Sequence, residues 1–441
     1  MTTITQESND SLQNELQLNR NNVEKMSNFI KLSDNDADNQ LDLFSYIKCT
    51  NSDTDFLKSC RGVVFNGENV VLHGFPYTEE YTVGKENNDM LVTKFENLSE
   101  YKVFTAYEGT LLRLFNFNNK WYLSTHRKLD AFKSKWASQT SFGESFVSYL
   151  DYYYNNNETF KSRLGEVSEN VNVYQLFLNT LDTTKQYMFL VPNMGTNRIV
   201  CKNENVEVYH VGTFLSGTTQ FSLQEDIGMK YPKQHSFNNS SELLDHVYNV
   251  DYNQHQGLLL FGSNNKQYKI LNDKYSSFYQ VRGNEPSIKF RYLQVRMNHS
   301  ELDKLYYLYP NFANSFDEYE NTLYDIARYV NKNYVNRYIK HQHVVVPKNF
   351  YIFMQKCHKW HLENKEKNRI SLTRVINLLN QELPSSLNRM IKIYNSNSFR
   401  ENYLSNNTNK PKFLKKVVGK EFEQVDKEQL VDDSEYTVVE R

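Results

Sequence analysis

Between Leu41 and about residue 285, apolar residues form short runs or alternate with polar ones, and turn formers separate the runs. Residues 62–65, 70–73, 101–104, 111–117 and 121–124 read as strands, joined by turns at Asn66-Gly67 and 116–119. Helical spacing interrupts them at 143–154 (GESFVSYLDYYY), and the strand pattern resumes at 171–178, 186–191, 198–201, 207–214, 257–261 and 267–271. This pattern predicts a mixed α+β domain over 41–285. Beyond Pro286 the apolar positions take a period of about 3.6, as in Leu302, Leu305, Tyr306 and Leu308, then Tyr324, Ile326, Tyr329 and Val330, then Ile370, Leu372, Val375, Leu378 and Leu379. A second, all-helical domain over 286–405 is expected from that change. Residues 1–40 are mostly polar and follow neither period, so they are expected to form a mobile N-terminal arm. Residues 406–441 carry Lys410, Lys412, Lys415, Lys416 and Lys420 followed by a run of carboxylates, and read as a solvated charged tail.

Charge narrows the functional classes. The 441 residues hold 51 Lys+Arg against 52 Asp+Glu, a net charge of −1, so a global positive field for coating nucleic acid is absent and any basic groove must be local. With 39% hydrophobic residues the chain can bury substantial cores. The abundance of Tyr and Phe over Gly and Pro fits an AT-rich genome and carries no mechanism. Cys49, Cys60, Cys201 and Cys357 show no CxxC spacing, which points away from a disulfide framework and towards a reducing compartment. No run approaches the roughly 18 apolar residues of a membrane span, and the first residues lack a signal-like pattern, so an intracellular, cytoplasmic protein without membrane contact is expected. Neither a Gly-x-Ser-x-Gly elbow nor a Gly-rich phosphate loop occurs, which removes the serine hydrolase and P-loop classes. Cys357, His358 and His361, with His341 and His343 upstream, lack a second ligand pair and sit beside Phe353 and Trp360, so they read as helix packing; no metal site is expected. Arg337, Lys340, Lys348, Lys356, Lys359, Lys365 and Lys367 form either a phosphate-tracking stripe or, with Glu363 and Glu366, a solvated face.

One ordered set of motifs carries chemistry. Ser59-Cys60-Arg61-Gly62-Val63-Val64-Phe65, then Gly74-Phe75-Pro76, then Tyr107-Glu108-Gly109-Thr110-Leu111-Leu112-Arg113 come in an order and at distances that resemble the phage-type RNA ligases. These ATP-dependent covalent nucleotidyltransferases carry an RG-hydrophobic-hydrophobic-F segment, a Phe-Pro strand and the lysine motif K-x-D/E-G-S/T. Asn197-Arg198-Ile199-Val200, Gln256-Gly257-Leu258-Leu259 and Tyr268-Lys269-Ile270-Leu271 resemble three further segments of that family, and the aromatic-rich residues 272–282 follow where the family has a similar stretch. The resemblance covers about residues 45–290. It implies a nucleotidyltransferase-like domain of ATP-grasp-type antiparallel sheets followed by the helical domain, with ATP and Mg²⁺ as cofactors if nucleotide binding is retained, and RNA, another nucleic acid or a protein as partner. With the composition, it suggests a large DNA virus or an AT-rich protist as source, hence a host cytoplasm or a virion if viral.

In that family a lysine amine attacks the α-phosphate of ATP to give a lysyl-nucleotide, which requires a neutral amine aligned with the leaving pyrophosphate. Here the nucleophile position holds Ala106, which has no lone pair. Lys102 lies four residues back, a displacement of about 13 Å along a strand, and cannot substitute. Gln256 replaces a carboxylate, Leu271 replaces a lysine, the glutamate expected before the Asn197 segment falls on Leu190 or Val191, and Glu79 and Glu80 stand where the family has a lysine. Arg61, Glu108, Gly109, Arg198 and Lys269 survive as nucleotide-binding candidates, with His126, Arg127 and Lys128 after the next strand. Arg61 and Lys269 would contact phosphate and Glu108 a ribose, or Arg61 and Glu108 would form a structural ion pair. The expectation is an RNA-ligase-like protein lacking lysyl-AMP chemistry and acting as a binding module. The alternatives are an active ATP-dependent RNA ligase and a structural assembly component.

Overall fold

The computed structural model describes residues 17–84, 88–192, 198–202, 207–223 and 225–399. The chain divides into two compact units, Met1–Gln280 and Val281–Arg441, a boundary slightly before the expected change after residue 285. The charged tail falls outside the described residues.

The first unit holds β1 (Ile30–Asp36), β2 (Leu41–Tyr46), β3 (Arg61–Asn66), β4 (Asn69–Leu72), β5 (Glu79–Thr82), β6 (Lys102–Ala106), β7 (Gly109–Phe117), β8 (Lys120–Ser124), β9 (Lys185–Pro192), β10 (Tyr209–Leu215), β11 (Phe221–Ser222), β12 (Gln234–His235), β13 (Gly257–Phe261) and β14 (Gln267–Leu271). They form three sheets in the orders β1-β2-β3-β4, β11-β10-β9-β7-β8 and β12-β6-β13-β14-β5. Pairing is antiparallel except between β14 and β5, so the expected α+β class with antiparallel sheets is present with one parallel edge. The turns at Asn66-Gly67 and 116–119 join β3 to β4 and β7 to β8, and Gly67, Asn118 and Asn119 take the positive φ that tight hairpins require.

Helices α1 (Asn88–Lys94), α2 (Phe142–Asn156), α3 (Val173–Asn179), α4 (Ser240–Asn249) and α5 (Asp273–Arg282) complete the elements used below. Helices α2 and α3 cover one face of the second sheet, where Phe146, Tyr149, Leu150 and Phe177 meet Leu112, Leu114 and Phe189. Helices α1 and α4 cover one face of the third, where Leu91, Leu243 and Val247 meet Val103, Leu258 and Ile270. The opposite faces contribute Phe104, Phe115, Met188, Phe214 and Phe261 to a further core, which also takes Val64 and Leu72 of the first sheet. Phe75 of the Phe-Pro segment packs edge-on against Phe214, Phe221 and Phe261, so that motif is part of this core.

Three expectations are corrected. Residues 30–36 are not a mobile arm but strand β1, pinned by side chains distant in sequence. Asp34 accepts from the Leu129 amide and pairs with Lys128, while Asp36 accepts from the Tyr122 hydroxyl and Lys120. Burial opposes ionisation of Asp36, but the bonds from Tyr122, Asn39 and Lys120 hold its carboxyl well below the usual range. Residues 173–179 form a helix, not a strand, because Asn172 and Gln175 build a reciprocal capping box at its start. Residues 198–201 carry no strand; their amides bond to a carboxylate described below.

The second unit is helical, as expected. It contains α6 (Ile288–Val295), α7 (His299–Leu308), α8 (Ala313–Tyr334), α9 (Lys348–Glu363), α10 (Leu372–Leu379) and α11 (Pro384–Tyr394). Helix α8 packs against α9, α10 and α11, and its buried Phe316, Leu323, Ile326, Ala327 and Val330 fall on one helical stripe. Glu320 lies on the same buried stripe and accepts from Arg296 Nε at 2.6 Å, Arg296 Nη2 at 2.5 Å and the Tyr292 hydroxyl at 2.7 Å. Cys357 is buried on α9, His358 stacks on Tyr338 and His361 Nδ1 lies 2.6 Å from the Asn368 carbonyl, each within helix packing.

Candidate functional site

The third sheet sets the site. Across it Ala106 lies opposite Gly257, Gly257 opposite Leu271, and Leu271 opposite Thr82. The row two residues away aligns Phe104, Leu259, Lys269 and Glu80. Side chains alternate along a strand, so both rows share one face, while Thr105, Leu258, Ile270 and Tyr81 face helices α1 and α4. The register therefore places Ala106 and Lys269 on the same face, away from the helices, on strands separated by β13 and in rows two residues apart. Ala106 is 3% exposed.

Glu108 follows Ala106 past the end of β6 and is 1% exposed. Its Oε1 accepts from the Ile199 amide at 2.6 Å; its Oε2 accepts from the amides of Val200 at 2.9 Å and Cys201 at 3.2 Å and from the Tyr275 hydroxyl at 3.2 Å. Burial pushes the carboxyl pKa up against the pull of these four donors. All four of these hydrogen-bonded groups are donors, which suits a carboxylate, and the protein itself supplies three to Oε2 and one to Oε1. Arg61 does not pair with it: Arg61 Nη1 donates to the Pro76 carbonyl at 3.2 Å and Thr78 Oγ1 at 3.3 Å. Gly109 lies opposite Pro192, and a Cβ there would stand 2.5 Å from the Val191 carbonyl oxygen, so the glycine of this motif permits close approach of β7 to β9.

Tyr275 closes the site from the first turn of α5. It is 2% exposed, and its hydroxyl receives the Gln256 Nε2 proton at 2.7 Å while donating to Glu108. Burial and then the Glu108 charge push its pKa well above the usual phenol value, so it is a neutral donor. Asn272 places it: the Asn272 Oδ1 caps the Tyr275 amide, and its Nδ2 bonds the carbonyls of Val247 and Tyr248 at the end of α4. Gln256 Oε1 is buried without a partner among the described residues.

The cations divide into two sets. Lys269 Nζ lies 3.4 Å from Glu80 Oε1, and Glu79 pairs with Lys58 at 2.8 Å and Lys94 at 3.5 Å, so the two glutamates take up the neighbouring lysines. Arg198 Nη1 reaches the Val200 carbonyl, while Asn197 lies outside the described residues. Arg113 is different. It is 1% exposed, donates to the carbonyls of Gly62 and Thr125, leaves Nε without a partner and has no carboxylate partner among the described residues. Burial, with Arg61 adding, pushes its pKa down to about 9. Burial, followed by the charges of Arg61, Arg113 and Arg127, pushes His126 down to about 3. Gly62 has φ +81°, and a Cβ there would meet Arg113 Nη1 and the His126 backbone at 2.7 Å, so glycine is required where these segments converge.

A divalent ion with ATP finds a poor donor set here. Gln256 and Leu271 carry no charge, Glu108 is occupied, and no group of three His, Cys, Asp or Glu among the described residues is placed to hold a metal.

No family model matches the chain. It is 28% identical over 353 residues to the "Immediate-early protein ICP-46 homolog" of Invertebrate iridescent virus 6, a match covering 75% of this chain and 76% of that protein. It is 21% identical over 257 residues to a "Putative bifunctional polynucleotide kinase/RNA ligase" of Autographa californica nuclear polyhedrosis virus, covering 56% of this chain and 34% of that protein. Among solved structures, the "Putative ATP-dependent DNA ligase from Aquifex aeolicus" aligns over 87% of this chain and 80% of its own at 10% identity, with a TM-score of 0.36.

The sequence singles out Ala106, Glu108 and Gln256, which the structure brings to one end of β6 and β13, but not Tyr275 or the lack of a carboxylate partner at Arg113 among the described residues. A signal for Tyr275 was present: Asn272 is a natural N-cap, and it sets Tyr275 in the first turn of a helix. No helix among the described residues is long and apolar enough to cross a membrane.

Proposed function

We propose that this chain is an RNA-ligase-like protein that lacks lysyl-AMP chemistry and acts as a binding module for RNA. The observation that carries the proposal is the row Ala106–Gly257–Leu271, with neither amine nor ammonium, closed by the Gln256–Tyr275–Glu108 chain of hydrogen bonds. A methyl group cannot attack phosphorus, and the carboxylate nearest to it is held by backbone amides. Arg61, Arg113 and Arg127 support the binding part: none has a carboxylate partner among the described residues, and the Arg113 bonds to Gly62 and Thr125 bring β3 and the loop after β8 together. Arg113 is buried and acts as the tie between those segments, whereas the guanidiniums of Arg61 and Arg127, which are not buried, suit phosphate oxygens. The viral relatives support the viral source suggested by composition and motif order.

The similarity to the viral kinase/ligase favours a second reading, an active ligase. Binding and joining assays separate the two. Single-stranded RNA should shift in a gel without ATP, and binding should weaken steeply between about 50 and 200 mM salt as phosphate contacts are screened. Arg127→Met should weaken binding to all sequences alike and flatten the salt dependence. Failure to bind at low salt removes the RNA-binding part; ATP-dependent joining of RNA ends establishes the second reading.

A further inference from the structure

On the opposite face of the third sheet from Ala106, a hollow of about 190 Å³ opens between β6, β12, helix α4 and the 250–257 segment. Four nitrogen-bearing side chains line it: Lys233, His235, His246 and His255. Asp251 is the one carboxylate of the lining, Thr105 and Tyr107 supply hydroxyls, and Leu258 and Val250 form the apolar wall. The imidazoles are close neighbours, with the His235 and His246 rings 5.2 Å apart, and Tyr107 meets His255 edge-on at 5.3 Å. Thr105 Oγ1 lies 2.8 Å from His235 Nε2, fixing that ring, while His255 Nδ1 is buried without a partner among the described residues. Lys233 has no carboxylate partner among them either; Asp251 Oδ1 instead accepts from the Asn253 amide at 2.9 Å and from Asn253 Nδ2 at 3.1 Å.

We propose that this hollow is a proton-coupled site for a tetrahedral oxyanion, either free inorganic phosphate or the terminal phosphate of a nucleotide or nucleic-acid end. Its volume is below the roughly 300 Å³ of ordinary organic-ligand pockets, which suits a small anion. A metal ion does not fit: Lys233 lines the hollow, and no three donors are placed to coordinate. Burial, then the surrounding positive groups, holds His235 and His246 below the ordinary imidazole value; His255 is lowered by burial, with Asp251 opposing and Lys233 adding. An oxyanion reverses that repulsion, so the imidazoles gain protons as it binds. Affinity therefore rises as pH falls through the imidazole range and is lost as pH rises above it. The hollow's chemistry is independent of nucleotidyl transfer at Ala106.

Sulfate is the clean probe because its own charge is constant across this range. Titration calorimetry of the full chain at constant ionic strength should show sulfate binding at least about tenfold tighter at pH 5.5 than at pH 8.0, the effect of at least one proton taken up. His246→Gln, on the exposed side of α4, should remove most of that pH dependence, and Lys233→Met should weaken binding at both pH values. Unchanged circular dichroism and melting temperature would show that both variants remain folded. Competition by a 5′-phosphorylated dinucleotide but not by its dephosphorylated form assigns the terminal phosphate, and competition by inorganic phosphate alone assigns the free anion. Absent binding, pH-independent binding, binding unaltered in both variants, or Zn²⁺ held by the three histidines in place of sulfate would overturn the proposal.

Discussion

Glu108→Ala should lower the unfolding free energy of the first unit by about 3–5 kcal/mol, seen as a fall in urea midpoint. The motif order of the sequence suggests ligand binding for this residue, yet its carboxylate receives three consecutive backbone amides and one phenol. Truncation leaves those donors buried and unpaired, each at a cost of about 1–3 kcal/mol where water cannot replace the partner. Glu108→Gln should fall between wild type and alanine, because it keeps an oxygen but turns an NH₂ group towards groups that also donate. A loss below about 1 kcal/mol would mean that the 199–201 segment does not depend on this carboxylate, and would return Glu108 to the list of ligand groups.

The second large effect belongs to the helical unit. Arg296→Ala should destabilise it by about 3–5 kcal/mol, since Glu320 would remain buried without its guanidinium. Much of that cost reflects the stranded charge rather than the worth of the pair. Pairing Arg296→Met with Glu320→Leu should therefore recover most of the loss, as apolar side chains of similar volume fill the stripe beside Phe316 and Leu323. The measurement is a double-mutant cycle on denaturant midpoints. A double variant as unstable as the sum of the single changes would show that the pair carries no coupling.

The legible parts of the chain are those fixed by local pattern. Strands β3, β7 and β13 announce themselves through short apolar runs, and the hairpin turns through Asn66-Gly67 and 116–119. The helical unit follows from its period. Strand β1 was illegible because Asp34 and Asp36 look like solvated residues until their partners, Lys128, Leu129, Lys120 and Tyr122, are brought in by the fold. Helix α3 was misread because the aromatic and β-branched run at 171–178 outweighed the Asn172 and Gln175 cap. At the site, Ala106 could be read from motif spacing alone. What surrounds it could not: Glu108 takes its partners from the amides of 199–201 and from Tyr275, 167 residues further along the chain, and the same hydroxyl receives Gln256, 19 residues before it. Arg113 looked like an ordinary strand residue because the absence of a counter-charge is a tertiary property.

The central claim is that no nucleotide becomes covalently attached to this protein. Incubation of the full chain with α-labelled ATP and Mg²⁺ or Mn²⁺, followed by denaturing electrophoresis, tests it directly, with Ala106→Lys run alongside. We predict no labelled band for either protein, because restoring the amine leaves Gln256, Leu271 and the Tyr275 closure unchanged. A label that survives denaturation on the wild-type chain would contradict the account; a label on Ala106→Lys alone would show that the rest of the site can still carry out the reaction.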